Sequence, residues 1–275
     1  MSLMEYLRTV KKKDLTIERI IGIISNRFLE IPHTLSWILP FKYSKENKRK
    51  LQSFKDIHKG KRCFIVANGP SLRNTDLNLL KDEITICMNR GHILSDLYNF
   101  VPTYLLCIDV KNQLSQFTEE FNKIDLVRFY NWNARKLFNN NKKLAFIMLN
   151  HKHKFQKNVL KGFWYGHSVT FACIELAYHM GFNEVIIVGK DHSYIEKGSP
   201  HKKMISTGNE DNHFIKGYYK EGMRWDIPDY RGEELAYKLA KIAFEEDGRQ
   251  ILDATINGKL EIFEKIDFYS LFGRK

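Results

Sequence analysis

The densest group of reactive side chains in the 275-residue sequence comprises Asp191, His192 and Tyr194. They follow the apolar run 185–188 almost directly, which places them where a short buried strand ends. A carboxylate, an imidazole and a phenol this close together can hydrogen bond a polar ligand and exchange protons with it. We therefore predict that these three residues belong to a binding site.

A separate candidate, His213, follows Asn212 in the polar, glycine-punctuated stretch 198–222, which is typical of a lid loop. Near neutral pH a histidine can take a proton from a hydroxyl group, so His213 could serve as a general base. A lone loop histidine is more often incidental, and the local sequence leaves both interpretations open.

A phosphate-binding turn is predicted after the first apolar run, where the chain reads Asn68, Gly69, Pro70 and Ser71. Gly69 can let the backbone approach a ligand, and a helix opening at residues 75–76 would add free amides that suit a phosphate. The sequence contains neither the glycine fingerprint of dinucleotide-binding folds nor a P-loop. An ordinary turn fits the same residues.

Polar residues also end later segments. Asn89 and Asp109 each follow an apolar run, and an amide at such a position can read a nucleobase or a sugar hydroxyl, or merely cap the turn. Ser168, with Gly166 just before it, precedes a helical pattern and is predicted to be its N-cap. The free amides of that first turn form a second candidate anion site, although capping alone explains the serine equally well.

Metal and redox chemistry are weakly supported. His151 and His153 have no carboxylate partner nearby in sequence, and no Asp-x-Asp motif is present, so we predict neither a metal site nor a cofactor. The cysteines lie singly inside apolar runs, which predicts buried thiols in a reducing compartment; they are Cys63, Cys87, Cys107 and Cys173.

The elements that would position these residues alternate between strands and helices. Apolar runs predict strands at 63–67, 84–88, 104–108, 126–130, 144–149, 184–189 and 250–252. Apolar residues at steps of three and four predict helices at 168–180 and 233–246. This order predicts the α/β class, with a Rossmann-like, mostly parallel sheet and helices on both faces. In such a sheet the ligand crevice lies at the carboxyl ends of the strands.

Charge and composition separate an N-terminal extension, residues 1–56, from a domain of residues 57–275. Residues 1–62 carry 15 Lys and Arg against 6 Asp and Glu, or +9 of the formal net charge of +12. The basic run 11–13 and the aromatic stretch 35–41 are compatible with a helix on an anionic membrane or with a helix packed on the main domain. Residues 45–50 read as an exposed linker.

The remaining charge is nearly balanced, which argues against nucleic acid as a partner. The chain lacks a signal-peptide pattern and a membrane-spanning apolar run. We expect a cytoplasmic protein, either free or peripheral at the inner face of the plasma membrane. The oligomeric state, including a homo-oligomer, is left open.

Several of these motifs resemble, in the same order, those of bacterial Campylobacter-type sialyltransferases; they are residues 64–72, 87–89, 181–185 running into 189–191, and 212–214. Residues 189–194, 209–214, 251–255 and 258–260 resemble the MptE-like proteins still more closely. The resemblance covers roughly residues 60–272. The MptE-like family includes a 6-hydroxymethylpterin diphosphokinase and flagellin-glycosylating motility accessory factors, so it implies a transferase without fixing the reaction.

The sialyltransferase resemblance implies particular roles. The nucleotide donor would be cradled by Asn68, Gly69, Ser71 and Asn89, the sugar or phosphate contacted by Gly166 and Ser168, and the acceptor deprotonated by His213. Tyr194, with Tyr218 or Tyr219, would steady the departing phosphate. The chain reads Gly-His-Ser at 166–168 where the sialyltransferases carry Thr-Ser-Gly, so a sialic acid donor is not specifically implied.

The resemblance therefore favours a metal-independent glycosyltransferase of surface polysaccharide or glycoconjugate synthesis. Its donor would be a nucleotide sugar, for example a CMP-linked nonulosonate, and its acceptor a glycan or a lipid-linked glycan. One alternative is diphosphate transfer from ATP to a hydroxymethyl group with Mg²⁺. Another is a non-catalytic nucleotide-binding protein at the membrane.

Overall fold

The computed structural model describes residues 17–196 and 198–273, with side chains from residue 28 onwards. The chain forms two compact units, residues 1–49 and 50–275. The predicted boundary near residue 56 was placed on composition alone and stays a prediction.

The N-terminal unit contains helix α1 (Ile17–Ile38) and most of helix α2 (Lys42–Ser53). The exposed linker predicted at 45–50 is wrong, because this stretch lies inside α2 and is rich in Lys, Glu and Arg, which favour helices. Along α1 and just beyond it, apolar side chains are exposed; they include Phe28, Leu29, Leu35, Ile38 and Phe41.

The basic run 11–13 lies outside the described residues. In the described part of the chain, no helix combines the length and the apolar character needed to cross a bilayer. Membrane association of residues 1–56 and a cytoplasmic location stay predictions.

The second unit is built on one eight-stranded sheet in which all neighbouring strands are parallel. Its strands are β1 (Arg62–Val66), β2 (Thr85–Met88), β3 (Tyr104–Cys107), β4 (Val127–Asn131), β5 (Leu144–Ile147), β8 (Glu184–Val188), β11 (Gln250–Asp253) and β12 (Glu264–Lys265). Their order across the sheet is β12-β11-β8-β1-β2-β3-β4-β5. Near-continuous apolar runs form the central strands, as expected where both faces are covered.

Four further short strands form two small sheets: β6 (Leu149–Asn150) with β7 (Phe163–Trp164), and β9 (Lys203–Ile205) with β10 (Arg224–Asp226). The strand predicted at 144–149 therefore ends early, at Ile147, and its last residue belongs to a different sheet. The predicted lid loop 198–222 likewise contains β9, which pairs antiparallel with β10 just beyond the loop. These strands of two or three residues are too short to show a period in the sequence.

The remaining helices of the second unit are α3 (Leu94–Leu97), α4 (Thr118–Lys123), α5 (Val169–His179) and α6 (Tyr230–Glu245). The helix predicted to open at residues 75–76 is a short 3₁₀ helix, Leu77–Leu80, with Asp76 as its N-cap, and a second 3₁₀ helix, Pro70–Asn74, precedes it. Asn, Thr and Asp at 74–76 favour caps and turns over a continuing helix. The α/β, Rossmann-like fold is confirmed.

The four cysteines are free and buried, as predicted. Three of them lie in β1, β2 and β3, and Cys173 lies in α5. Burial raises the pKa of each thiol, which keeps these cysteines protonated and unreactive.

The connectivity of the sheet creates one switch point. The chain builds outward from β1 through β2, β3, β4 and β5, and then returns to place β8 against the other side of β1. The carboxyl ends of β1 and β8 therefore flank the point where the strand order reverses, which is where ligands bind in open α/β sheets.

Candidate functional site

A cavity of about 210 Å³ lies at this switch point. Its walls come from the ends of β1, β2 and β8, the start of α5, and the segment that carries His213. Nine predicted site residues line it: Asn68, Gly69, Asn89, Ser168, Asp191, His192, Tyr194, Asn212 and His213. Residues separated by nearly 150 positions in the sequence thus meet around one space, although their roles stay predictions.

Two residues of the cavity wall, Asn68 and Asn89, have side-chain acceptors that no described residue uses. The Asn68 amide nitrogen donates to Met88 O at 3.1 Å, whereas Asn68 Oδ1 and Asn89 Oδ1 are buried without a hydrogen-bond partner among the described residues. Asn89 also adopts a left-handed backbone conformation, with φ at +51°. A buried acceptor without a partner costs about 1–3 kcal/mol, so a ligand that donates to these oxygens would recover that free energy.

Gly69 and Asp191 form a clamp between the loops after β1 and β8. The Asp191 carboxylate accepts from Ser71 N at 3.1 Å and from Ser71 Oγ at 2.8 Å. A Cβ on Gly69 would overlap Asp191 Oδ2 and lie 2.6 Å from Gly189 O. Gly69 is therefore needed because Asp191 packs closely against it. The sequence analysis had instead predicted that a ligand would approach the backbone at this glycine.

Ser168 is the N-cap of α5, as predicted. Its Oγ accepts from Thr170 N at 3.1 Å and lies 2.8 Å from Tyr237 OH, and the residue is buried at the cavity wall. Gly166 does not line the cavity; it packs against Phe171, where a Cβ would collide with the ring. Gly166 is therefore not positioned to contact a donor in the cavity directly.

A buried ion pair that the sequence analysis missed closes one side of the cavity. Lys190 Nζ lies 2.7 Å from Glu233 Oε2, and both residues line the cavity. Burial alone would lower the pKa of Lys190, but the Glu233 carboxylate raises it above its ordinary value, so the pair is charged. Glu233 and Glu234 both lie in α6, and Glu234 Oε1 is 3.1 Å from His192 Nε2.

The signal for this pair was weak. Lys190 belongs to the polar strand end already singled out, but Glu233 follows 43 positions later in an amphipathic helix, where a glutamate ordinarily faces solvent. Only the packing of α6 against the sheet brings the carboxylate to the lysine.

His213 is buried and surrounded by aromatic rings. Its imidazole stacks on Tyr218 with ring centroids 4.0 Å apart and meets Tyr219 edge-on at 5.5 Å. Its Nε2 lies 3.5 Å from Tyr194 OH. Burial lowers the pKa of His213 to about 4, so the ring is neutral and has one nitrogen able to accept a proton at neutral pH.

The segment around His213 is held to the β1 loop. Phe214 N donates to Asn68 O at 2.9 Å, and the Arg73 guanidinium donates to His213 O at 2.6 Å and to Phe214 O at 3.0 Å. Asn212 Oδ1 accepts from Ile195 N at 2.9 Å, which ties the segment to the loop after β8. His213 is therefore placed by hydrogen bonds to two strand-end loops.

Of the three tyrosines considered for phosphate contact, Tyr194 and Tyr219 line the cavity. Burial raises the pKa of Tyr194 to about 12, so its hydroxyl keeps the proton that a phosphate oxygen would accept. Tyr218 is buried behind His213, and its OH accepts from Arg90 N at 3.0 Å. Tyr218 therefore supports the histidine ring and lies outside the cavity wall.

Three other predicted donor contacts also lie off the cavity wall. Pro70 opens the 3₁₀ turn after β1, and Ser71 is occupied by Asp191. Asp109 caps the turn after β3, where its carboxylate accepts from Asn112 N at 2.9 Å. Burial raises the pKa of Asp109, and its position at the end of β3 is one strand too far from the switch point.

A larger groove of about 1100 Å³ lies beside α3 and α4 and is lined by Arg90, Phe117, Glu120 and Tyr218, among others. Of the predicted site residues, only Tyr218, the alternative to Tyr219 for phosphate contact, is among the described side chains that line it. Arg90 is already paired with Glu120 through two hydrogen bonds of 2.8 and 3.0 Å. We therefore assign the site to the smaller cavity, which has unpartnered acceptors and lies at the switch point.

A family model described as "6-hydroxymethylpterin diphosphokinase MptE-like" matches residues 41–197, more than half of the chain. The chain belongs to the MptE-like family. The match includes the loops after β1, β2 and β8 and the start of α5, so most of the cavity wall of this MptE-like protein lies within it. The recognition of the family from sequence motifs is confirmed.

Two solved structures are similar to this MptE-like protein. One is a MAf glycosyltransferase from Magnetospirillum magneticum AMB-1, with 13% sequence identity and a TM-score of 0.47; the match covers 81% of this chain but only 38% of that one. The other is a mammalian sialyltransferase in complex with Gal-beta-1-3GalNAc-ortho-nitrophenol, with 11% identity, a TM-score of 0.38, and coverage of 78% and 79%. No curated protein sequence matches the chain.

Proposed function

We propose that this MptE-like protein is a glycosyltransferase that moves a sugar from a nucleotide-activated donor to an acceptor hydroxyl group. The observation that carries the proposal is that the neutral, buried His213 shares one cavity wall at the switch point with Asn68 and Asn89, two residues whose buried amide oxygens have no partner among the described residues. Proton acceptor and ligand-reading groups are thus within one site, as a transfer to a hydroxyl group requires.

Donor recognition is assigned to Asn68 and Asn89. Their free Oδ1 atoms can accept from an exocyclic base amine or from sugar hydroxyl groups. Ser168 lies at the start of α5, where amide N–H groups and the helix dipole favour a phosphate oxygen. The donor would therefore lie across the ends of β1 and β2, with its phosphate toward α5.

In the proposed reaction His213 Nε2 takes the proton of the acceptor hydroxyl while that oxygen bonds to the anomeric carbon. The bond from this carbon to the donor phosphate breaks, and the nucleotide leaves with both electrons of the bond. Tyr194 OH lies close enough to His213 to donate to the departing phosphate. The Lys190 ammonium, although paired with Glu233, adds positive charge to the same wall.

We propose that the transfer needs no metal ion at the phosphate, because the sequence has no Asp-x-Asp motif and these donors are already in place. A pocket for a drug-sized ligand usually measures about 300–1000 Å³. The 210 Å³ cavity therefore accommodates part of a nucleotide sugar, and the rest extends toward the hairpin of β9 and β10.

The family description supports a second candidate, diphosphate transfer from ATP to a hydroxymethyl group. The same cavity would bind a triphosphate, but that reaction normally requires Mg²⁺. The two candidate functions therefore predict different nucleotides as ligands. Only the diphosphokinase predicts that Mg²⁺ is needed for the nucleotide to stabilise the folded protein.

A thermal-shift panel of CMP, UDP, GDP and ATP, each with and without Mg²⁺, separates the candidates. A rise in Tm with a nucleoside mono- or diphosphate that is independent of Mg²⁺ supports the glycosyltransferase. Stabilisation by ATP only in the presence of Mg²⁺ would favour the diphosphokinase.

With the donor identified, His213→Ala is expected to lower turnover by about 100-fold or more while donor affinity changes little. The control is His151→Ala, an exposed histidine outside the cavity, which should keep wild-type turnover. Unchanged turnover in His213→Ala would refute the base assignment.

A further inference from the structure

Three side chains from separate segments converge beside the cavity: His167 before α5, His201 before β9, and Asp229 before α6. One potential ligand atom from each residue lies within 4.8 Å of the other two. His167 also lines the cavity wall, next to Ser168. We call this group the His-His-Asp cluster.

The two distances from Asp229 to the histidines match those of a metal site. His167 Nδ1 lies 3.2 Å from Asp229 Oδ2, and His201 Nε2 lies 3.5 Å from the same oxygen. Around a tetrahedral Zn²⁺ with bonds of about 2.1 Å, neighbouring ligand atoms are separated by about 3.4 Å. Both edges that meet at Asp229 therefore already have the length that the ion requires.

The two carboxylate oxygens of Asp229 have different partners. Oδ1 accepts from Gly232 N at 3.1 Å as the N-cap of α6, which leaves Oδ2 directed at the two histidines. A hydrogen bond of this kind orients a carboxylate ligand. Gly232 is also needed sterically, because a Cβ there would lie 2.7 Å from the His167 ring.

Backbone geometry holds both histidines in place. His167 and His201 adopt left-handed conformations, with φ at +62° and +63°, which cost a non-glycine residue about 1–2 kcal/mol. His201 N donates to Ile227 O at 2.9 Å, and Ile227 N donates to Lys202 O at 3.0 Å, so the β9–β10 pairing continues up to the cluster. Strained residues that are held this firmly are typical of functional sites.

We propose that His167, His201 and Asp229 bind a divalent first-row transition-metal ion, with Zn²⁺ as the best match. Two imidazoles and one carboxylate suit such an ion and leave at least one coordination position for water or a ligand group. The bound ion would join the turn before α5, the start of the β9–β10 hairpin and the N-terminus of α6, and so fix one wall of the cavity. This inference departs from the sequence analysis, which considered only His151 and His153, and it does not depend on the proposed function.

The test uses the full, untagged chain after treatment with EDTA and dialysis, with Zn²⁺ alone as the probe in isothermal titration calorimetry. We expect one Zn²⁺ per chain, and a rise in Tm when Zn²⁺ is added. Co²⁺ in place of Zn²⁺ should give the visible absorption of a low-symmetry site with nitrogen and oxygen ligands.

The decisive variant is His201→Asn. His201 is 42% exposed, and Asn tolerates the left-handed backbone, so this change should leave the fold intact, which circular dichroism checks. Zn²⁺ affinity should fall more than about 100-fold, and the rise in Tm should disappear. His167→Asn provides an independent second variant with the same expected loss.

His151→Asn is the matched control, because it removes an exposed histidine outside the cluster and should bind Zn²⁺ like the wild type. The proposal is overturned if the wild type takes up no Zn²⁺, or if folded His201→Asn and His167→Asn bind it as tightly as the wild type. In that case the cluster is a hydrogen-bonded ion pair, with a histidine proton where the metal was proposed.

Discussion

Replacing Glu233 by Gln is expected to lower the free energy of unfolding by about 3–5 kcal/mol. Lys190 Nζ lies 2.7 Å from Glu233 Oε2, and the two side chains are only 15% and 6% exposed. At an effective dielectric constant of about 20, unit charges at this distance attract each other by about 6 kcal/mol. This attraction offsets the lost hydration of both charges, so removal of the carboxylate leaves a buried ammonium without compensation.

Two further variants isolate that cause. Glu234→Gln changes the next residue of α6, whose side chain is 44% exposed, and should cost less than about 1 kcal/mol. In Lys190→Met combined with Glu233→Gln, no ammonium remains to be hydrated. The double variant should therefore be more stable than Glu233→Gln alone.

The assay is urea unfolding at equilibrium, followed by tryptophan fluorescence and circular dichroism. In Glu233→Gln, burial lowers the pKa of the unpaired Lys190, so the deficit should shrink as the pH rises toward 10 and the lysine can fold neutral. This expectation is refuted if Glu233→Gln loses no more stability than Glu234→Gln, or if the double variant is no more stable than Glu233→Gln alone.

Two more predictions concern the loops of the site. Gly69→Ala should cost about 3 kcal/mol, because its Cβ displaces Asp191 and breaks two hydrogen bonds to a charged group; an unchanged urea midpoint would contradict the clamp. Ser168→Ala should cost about 2 kcal/mol, from the lost α5 cap and the lost contact with Tyr237 OH. Ser168→Thr keeps the capping oxygen and should retain most of the stability, unless the capping role is wrong.

The sheet was predictable because parallel strands covered on both faces read as apolar runs, as at 63–67 and 184–188. The meeting of Ser71 with Asp191 follows from this prediction, since the loops after neighbouring parallel strands share one edge. Where periodicity was lacking, prediction failed: β9 and β10 are three residues each, and β12 has two.

Residues that act across long separations were mostly invisible in the sequence. His213 was a candidate from its loop sequence and was favoured as the base by the family resemblance, whereas its hydrogen-bonded tie to the Asn68 loop leaves no local pattern. Glu233 reaches the cavity wall, and Asp229 reaches His167, only because α6 packs with its N-terminus at this edge. A short sequence motif can reveal a site only when one loop supplies all of its residues. The Lys190–Glu233 pair and the His-His-Asp cluster each combine residues from separate segments, so no motif reveals them.

The environment of His213 serves two opposing needs. Burial among Tyr194, Tyr218 and Tyr219 keeps the imidazole neutral and ready to accept a proton, but a pKa of about 4 makes it a weak base. An anionic phosphate in the cavity would favour the protonated ring and raise this pKa toward the working pH. We therefore expect donor binding to strengthen the base, which pH titration of the His213 ring by NMR, with and without bound nucleotide, would measure.

The same burial predicts how the folded protein responds to acid. The pKa of His213 is about 4 in the folded protein and about 6.5 in the unfolded chain, so the unfolded chain binds the proton more readily between these values. Stability is therefore lost as the pH falls through this window, by about 3 kcal/mol between pH 7 and pH 4 for this one group. His213→Gln should lack this component, so urea unfolding at pH 7 and pH 4 should show a smaller acid-induced loss than in the wild type or in His151→Gln. If the losses are equal, His213 is hydrated in solution, and the enclosed cavity on which its role as a base depends is not maintained.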